Sequence, residues 1–400
     1  MKKGTILTIS LLLFFLFCYS QTDINSILKL DTIYCVEETE KPSVNDLVYY
    51  VNDDLFYFIN YNSRKADDIL VLNEINLKSG YKTRYYGIFD LYEHKNSIFK
   101  DYEIVFSSMY VKDSLLYFIA FDKLYSYIIS NEEIEFYQKV NIKLSNINCI
   151  KNKIVLYHNY NFHKNNKTEP TVLSIFNEEK FTIGKTITPK FENLCYTHFN
   201  PNNWFDFSSN SISFCQTVDY KIDFYDSNLK KINQIIRNID NWEKAPKKKK
   251  DQSAHDCLDY YNPWEDKIAR LLGGYFINDT AFITQYKLPQ VEENDFKYFF
   301  DIWSFNGNKW ELSFSNLCNS FKFKIDKDTI LTNENFPFNS MTYPKYIVHN
   351  NRIISFRVEP YINPIGLTKG EYDEKQNSYL LDSDVPKRLQ LFVFDIIAEK

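Results

Sequence analysis

The 400-residue sequence predicts an all-β fold, a six-bladed β-propeller of four-stranded antiparallel blades whose ring is closed by the N-terminal strand. Three observations predict it. A hairpin pattern of apolar run, short Asn/Asp/Ser/Lys turn and second apolar run recurs six times. Each hairpin is followed by a further apolar run, usually with its own turn and return strand, so that each repeat makes a four-stranded meander. The last repeat ends one strand short, while an unassigned strand-like segment stands at the start of the chain.

The six hairpins, in order, pair 48–51 with 55–59, 109–111 with 115–120, 147–150 with 154–157, 205–207 with 212–215, 275–277 with 281–284, and 346–348 with 353–356. The following runs are 69–72, 124–129, 172–176, 221–225, 300–305 and 389–397. Asn306-Gly307 is the sharpest turn signal, because both residues tolerate the positive φ of a two-residue hairpin. The first-hairpin turns lie 39 to 71 residues apart, which assigns the variation to loop insertions. The runs are near-continuously apolar, as expected of sheets covered on both faces, and repeated four-stranded units of this kind describe propeller blades. The segment 27–36 is the expected fourth strand of the last blade, and its pairing there removes two open sheet edges.

Residues 1–20 read as a signal peptide, with Lys2 and Lys3 ahead of the apolar run Ile6 to Phe17 and then Cys18, Tyr19 and Ser20. That run is too short for a membrane span of roughly 20 residues, and no transmembrane segment is expected. Cys18 invites a lipoprotein reading, but the bulky Phe17 precedes it where a small residue is usual. Cleavage after Ser20 leaves Gln21 first and a single propeller domain over 21–400. The protein is therefore expected to be exported, to the periplasm, the cell surface or the exterior.

Thirty-four Phe and 31 Tyr against 21 Gly and Pro together exclude a disordered or low-complexity chain. Removal of Lys2 and Lys3 takes the formal charge from −5 to −7, which argues against nucleic acid as a partner. Six cysteines remain after cleavage, with no C-x-x-C among them, so no zinc site is indicated. Several sit in apolar runs, where a free thiol packs as a small hydrophobe. Cys195 with Cys215 is the closest pair in sequence should one disulfide form.

One insertion, at about 238–272, interrupts the repeat. It carries Pro246 and the lysines 247–250, a solvated loop or an anion-facing patch. Its second half reads as a helix leading to Leu272, with Asn262 as cap, Pro263 at the first helical position and Glu265 at the capping-box place.

At the level of architecture the whole mature chain resembles the TolB-like and NHL-type six-bladed propellers. That resemblance implies a place, the mouth of a central channel, for a partner or ligand, and no catalytic or ligand residue is carried over with it. No catalytic or cofactor motif accompanies the repeats: there is no H-E-x-x-H, G-x-S-x-G, P-loop or dinucleotide fingerprint, and neither a metal nor a cofactor is expected. His158, Tyr160 and His163 follow a strand of the third repeat and are the candidate ligand-binding residues at a channel mouth. Asp219, Asp223 and Asp226 raise the idea of calcium, without the glycine turn of a calcium loop. The sequence thus points to a non-enzymatic binding or scaffolding protein of the cell envelope. Its expected partner is a protein or a small-molecule or carbohydrate ligand at the channel mouth. The alternative is a propeller hydrolase or lyase acting on an extracellular carbohydrate or ester.

Overall fold

The computed structural model describes residues 24–36, 47–60, 69–88, 106–120, 123–131, 133–142, 146–158, 172–189, 205–216, 219–244, 268–289, 298–318, 322–324, 330–332, 346–359, 372–373, 378–379 and 388–397. Among the described residues, apart from a short 3₁₀ turn at Ile24–Ile27, the regular elements are strands. The signal segment 1–20 and most of the insertion, 245–267, lie outside the described residues. Among the described residues no helix is long and apolar enough to cross a membrane.

The strands fall into units. β1 (Leu28–Val36) comes first. Unit 1 holds β2 (Leu47–Asn52), β3 (Leu55–Asn60), β4 (Ile69–Asn76) and β5 (Lys82–Ile88). Unit 2 holds β6 (Phe106–Lys112), β7 (Leu115–Ala120), β8 (Lys123–Ser130) and β9 (Glu133–Asn141). Unit 3 holds β10 (Asn146–Ile150), β11 (Lys153–His158), β12 (Val172–Asn177) and β13 (Thr182–Ile187). Unit 4 holds β14 (Phe205–Phe207), β15 (Ile212–Gln216), β16 (Lys221–Tyr225) and β17 (Lys231–Ile236). Unit 5 holds β18 (Arg270–Asn278), β19 (Ala281–Lys287), β20 (Tyr298–Phe305) and β21 (Trp310–Cys318). Two small ribbons, β22 (Lys322–Lys324) with β23 (Ile330–Thr332) and β26 (Tyr372–Asp373) with β27 (Ser378–Tyr379), stand outside the repeats. Unit 6 is formed by β24 (Tyr346–His349), β25 (Arg352–Glu359) and β28 (Arg388–Ile396), and β1 completes it in the order β1-β28-β25-β24. The N-terminal strand thus supplies the fourth strand, pairing antiparallel with β28 from Leu28↔Ile396 to Val36↔Leu389.

All six expected hairpins form. Lys151-Asn152 and Asn350-Asn351 each hold two consecutive residues at positive φ (47° and 63°, 46° and 59°), the backbone of a two-residue turn between right-twisted strands. Asn306-Gly307 departs from expectation. Phe305 pairs with Trp310, so the loop has four residues; only Gly307 has positive φ, and Asn306 instead accepts the amides of Asn308 and Lys309 at 3.1 and 3.0 Å. The expected helix also differs at its end, because Arg270 to Leu272 belong to β18, paired with β19. The pull of a sheet partner overrides a local capping signal there.

The apolar runs are continuous because successive side chains serve two different cores. In β7, Leu116, Phe118 and Ala120 pack toward unit 1, while Tyr117 and Ile119 pack toward unit 3. Further clusters join units 3 and 4 through Val155 and Phe214, units 4 and 5 through Phe224 and Phe282, and units 5 and 6 through Ile283 and Phe394. Another joins unit 6 to unit 1, through Ile354 and Val393 against Phe56 and Phe58. Close packing is visible at Gly274, where a Cβ would fall 2.7 Å from the Cys215 sulfur.

The hairpin turns interlock in the same succession. Lys112 Nζ donates to Asn152 O at 3.3 Å, Lys153 Nζ to Asn228 Oδ1 at 2.8 Å, Asn210 Nδ2 to Asp279 Oδ2 at 2.8 Å, and Asn278 Nδ2 to Asn351 Oδ1 at 2.6 Å. Arg352 Nη1 then reaches Asp54 Oδ1 at 3.1 Å, linking unit 6 to unit 1. The repeat is broken where β5 and β9 pair in parallel at Tyr86↔Glu133 and Gly87↔Ile134, fusing units 1 and 2 into an eight-stranded sheet.

Candidate functional site

From unit 1 to unit 6 the first strands β2, β6, β10, β14, β18 and β24 lie beside one another in succession. The Tyr50 and Tyr110 rings meet edge to face at 4.8 Å, and Ser108 Oγ accepts the Ile147 amide at 3.2 Å. In β14, which is only three residues long, Phe205 is buried toward unit 3, so its neighbour Asp206 turns the other way. Asp206 Oδ2 accepts the Phe276 amide of β18 at 2.6 Å, bridging units 4 and 5.

Asp206 is the focus of a group drawn from four units. Its charge reaches Tyr49 of β2 and Tyr157 of β11 as well as the Cys215 thiol. On the face of β14 that turns toward unit 3, the Tyr157 ring stands 5.3 Å from both Phe205 and Phe207. Burial pushes the Asp206 carboxyl up to about 7, against the opposing pull of the Phe276 and Phe207 amides. Burial, reinforced by Asp206, pushes the Tyr49 phenol up to about 12 and raises Tyr157 as well. The arrangement offers one carboxyl near its neutral form and two neutral phenols. It suits hydrogen bonding and apolar contact with a small guest.

A second polar cluster lies between units 4 and 5 and has another character. Asp301, with no exposed surface, accepts Tyr220 Oη at 2.5 Å, the Asn316 amide at 2.9 Å and Tyr286 Oη at 3.4 Å, and forms an ion pair with Arg237. The Arg237 guanidinium carbon is 5.7 Å from the ring centres of both Tyr220 and Tyr286. Trp303 Nε1 donates to Tyr220 Oη at 3.2 Å. Both carboxylate oxygens of Asp301 are in use, so this cluster bolts two units together.

The residues singled out in the sequence fall differently. His158 ends β11 and pairs by backbone with Val172; its side chain, with Tyr160 and His163, lies outside the described residues. The lysines 247–250 lie outside them too. The three aspartates each serve the scaffold, in that Asp219 pairs with Lys244, Asp223 with Lys231 at 2.6 Å, and Asp226 accepts the turn amides of Asn228 and Lys230 at 2.8 and 2.9 Å. Among the described residues no group of three or more His, Cys, Asp or Glu is placed to hold a metal. Cys215 is buried and Cys149 half-buried, and both are free thiols; Cys195 lies outside the described residues. His349, at the seam between units 6 and 1, is half-buried, and burial pushes its imidazole down.

Sequence reading missed Asp206, Tyr49 and Tyr157. A signal was there for the first of them: Phe205-Asp206-Phe207 sets a carboxylate inside a run otherwise expected to be buried, and such a group is a functional candidate on physical grounds.

Comparison with known proteins locates the fold. No family model matches the chain, and no curated protein matches its sequence. Among solved structures, a member of the DUF4221 family from Bacteroides vulgatus matches over 92% of this chain and 98% of its own, with a TM-score of 0.51 at 9% identity. A luciferin-regenerating enzyme matches over 90% of this chain and 95% of its own with a TM-score of 0.40 at 8% identity. The first likeness is one of fold alone: the chain is all-β, built from four-stranded antiparallel sheets in a propeller-like arrangement.

Proposed function

We propose that the six units close into a six-bladed ring of the TolB-like or NHL kind, and that the protein is a non-enzymatic binding or scaffolding protein of the cell envelope. The cores shared between successive units, the last including units 6 and 1, support the ring, as does the Arg352–Asp54 link. The signal-like segment before Gln21 supports export to the periplasm, the cell surface or the exterior.

The observation that carries the binding reading is the makeup of the group around Asp206. Asp206 is a single buried carboxyl whose charge reaches the Tyr49 and Tyr157 phenols, and no second acid among the described residues perturbs it. Double displacement at a sugar or an ester needs a second acid or an activated nucleophile beside the first group. The runner-up, a hydrolase or lyase, draws on the same carboxyl, since a group titrating near 7 suits general acid–base work. The two readings separate in one experiment. Residues 21–400 are assayed on chromogenic esters and glycosides as wild type and as Asp206→Asn. Absence of turnover in both upholds the binding protein; turnover that Asp206→Asn abolishes replaces it with the hydrolase.

A further inference from the structure

We propose that the joint between units 6 and 1 is an acid-sensitive latch whose trigger is His349. This residue ends β24 and pairs with Arg352 of β25 directly across the two-residue turn, so the two side chains leave the hairpin on one face. Arg352 is the side chain that crosses the joint, reaching Asp54 at 3.1 Å. Its Nε also faces Asp395 of β28 at 3.6 Å.

The site has room for a neutral imidazole only. His349 Nε2 is buried, and among the described residues it has no hydrogen-bond partner. A neutral ring protonated at Nδ1 leaves Nε2 bare, whereas the imidazolium donates from both nitrogens. Protonation thus sets an unmet donor and a charge at a buried atom. The neighbouring charges do not rescue it. Asp54 has both oxygens occupied, Oδ1 by Arg352 and Oδ2 by Lys78 of the β4–β5 turn at 2.5 Å. Asp53 is exposed, where water and salt screen its charge. Toward unit 5, Asp279 is held by Asn210 at 2.8 Å. Arg352 adds a like charge directly opposite, which is destabilising in a strand pair. Burial, with Arg352 beside it, holds the imidazole below its ordinary 6.5 against the pull of Asp53 and Asp54.

The folded chain therefore holds this proton less tightly than the unfolded chain does. The stability contribution is whole above pH 6.5 and is lost as pH falls below it. Loosening of the joint lets water reach Nε2 and relieves the protonated state. What it uncovers is the core behind the joint, where Phe56 and Phe58 meet Ile354 and Val393.

The test is amide exchange of residues 21–400 at about pH 7.5 and about pH 5, read by mass spectrometry as protection relative to the unfolded rate at each pH. Unit 2, which has no histidine in 106–141, is the internal reference. On acidification, protection in 47–60 and 346–358 is expected to fall at least about threefold more than in unit 2. His349→Gln, which cannot take the proton, is expected to remove that excess. An equal change at the joint and in unit 2, or an excess that persists in His349→Gln, overturns the proposal. Should His349→Gln fail to give the native circular dichroism spectrum, the wild-type comparison of the joint with unit 2 decides by itself.

Discussion

Replacing Asp206 with Asn is expected to change how stability depends on pH, and the sign follows from the direction of the carboxyl's displacement. Burial holds it at about 7 in the folded chain, against 3.8 when free. The folded state therefore holds the proton more tightly than the unfolded state does. Its stabilising contribution is fully present below pH 3.8 and is lost as pH rises through 7. At about 1.36 kcal/mol per pH unit, the interval makes ionisation of Asp206 in the folded chain cost on the order of 4 kcal/mol. Asparagine cannot ionise and still offers an oxygen to the Phe276 amide. Asp206→Asn is thus expected to match the wild type within about 1 kcal/mol near pH 4 and to exceed its stability by up to about 4 kcal/mol at pH 8. Urea unfolding of both proteins across that range measures it. Asp54 and Asp226, both held below the usual carboxylate range, pull stability the opposite way in each protein and cancel in the difference. A difference that does not change between pH 4 and pH 8 would mean that Asp206 titrates like a solvated carboxylate, and the expectation fails.

Other consequences can be measured directly. Arg237→Met strands the Asp301 carboxylate among Tyr220, Tyr286 and Trp303 and is expected to cost about 3–5 kcal/mol in urea unfolding; a loss below about 1 kcal/mol denies the cluster its bolting role. Gly87→Val places a Cβ 2.3 Å from Ile134 O, against backbone, and is expected to open the β5–β9 pairing, seen as faster amide exchange at Glu133 and Ile134; unchanged exchange contradicts the close approach. Burial raises the Cys149 and Cys215 thiols, so neither is expected to react with a thiol reagent at pH 8 until the chain unfolds. If the chain is exported as proposed, N-terminal sequencing of the mature protein is expected to be blocked by a pyroglutamate at Gln21, and retention of Lys2 and Lys3 contradicts cleavage after Ser20.

Hairpins were legible in the sequence because both halves of the signal are local. Turn residues such as Lys151-Asn152 adopt positive φ readily, and each flanking run is apolar on both faces, as Leu116 and Tyr117 illustrate by serving opposite cores. Strand β1 was legible from the unmet need of the last repeat. The parallel joint at Gly87 was not, because it depends on how two outer strands converge in space. The local capping pattern from Asn262 onward misdirected the reading of Arg270 to Leu272, whose partners in β19 lie over ten residues away. Asp206, Tyr49 and Tyr157 come from repeats four, one and three, and no spacing along the chain brings them together. Only the odd charge between Phe205 and Phe207 hinted at them.

A closed ring depends on the chain's two ends sharing one sheet. Deleting residues 21–36 removes β1 and exposes β28 along its whole length. The dependence is measured by unfolding this truncated chain, followed by circular dichroism, with and without a synthetic peptide of residues 21–36. Loss of the cooperative transition on truncation, and its return when the peptide is added, is the expected result; a truncated chain that melts as sharply and at the same temperature as the full one contradicts it.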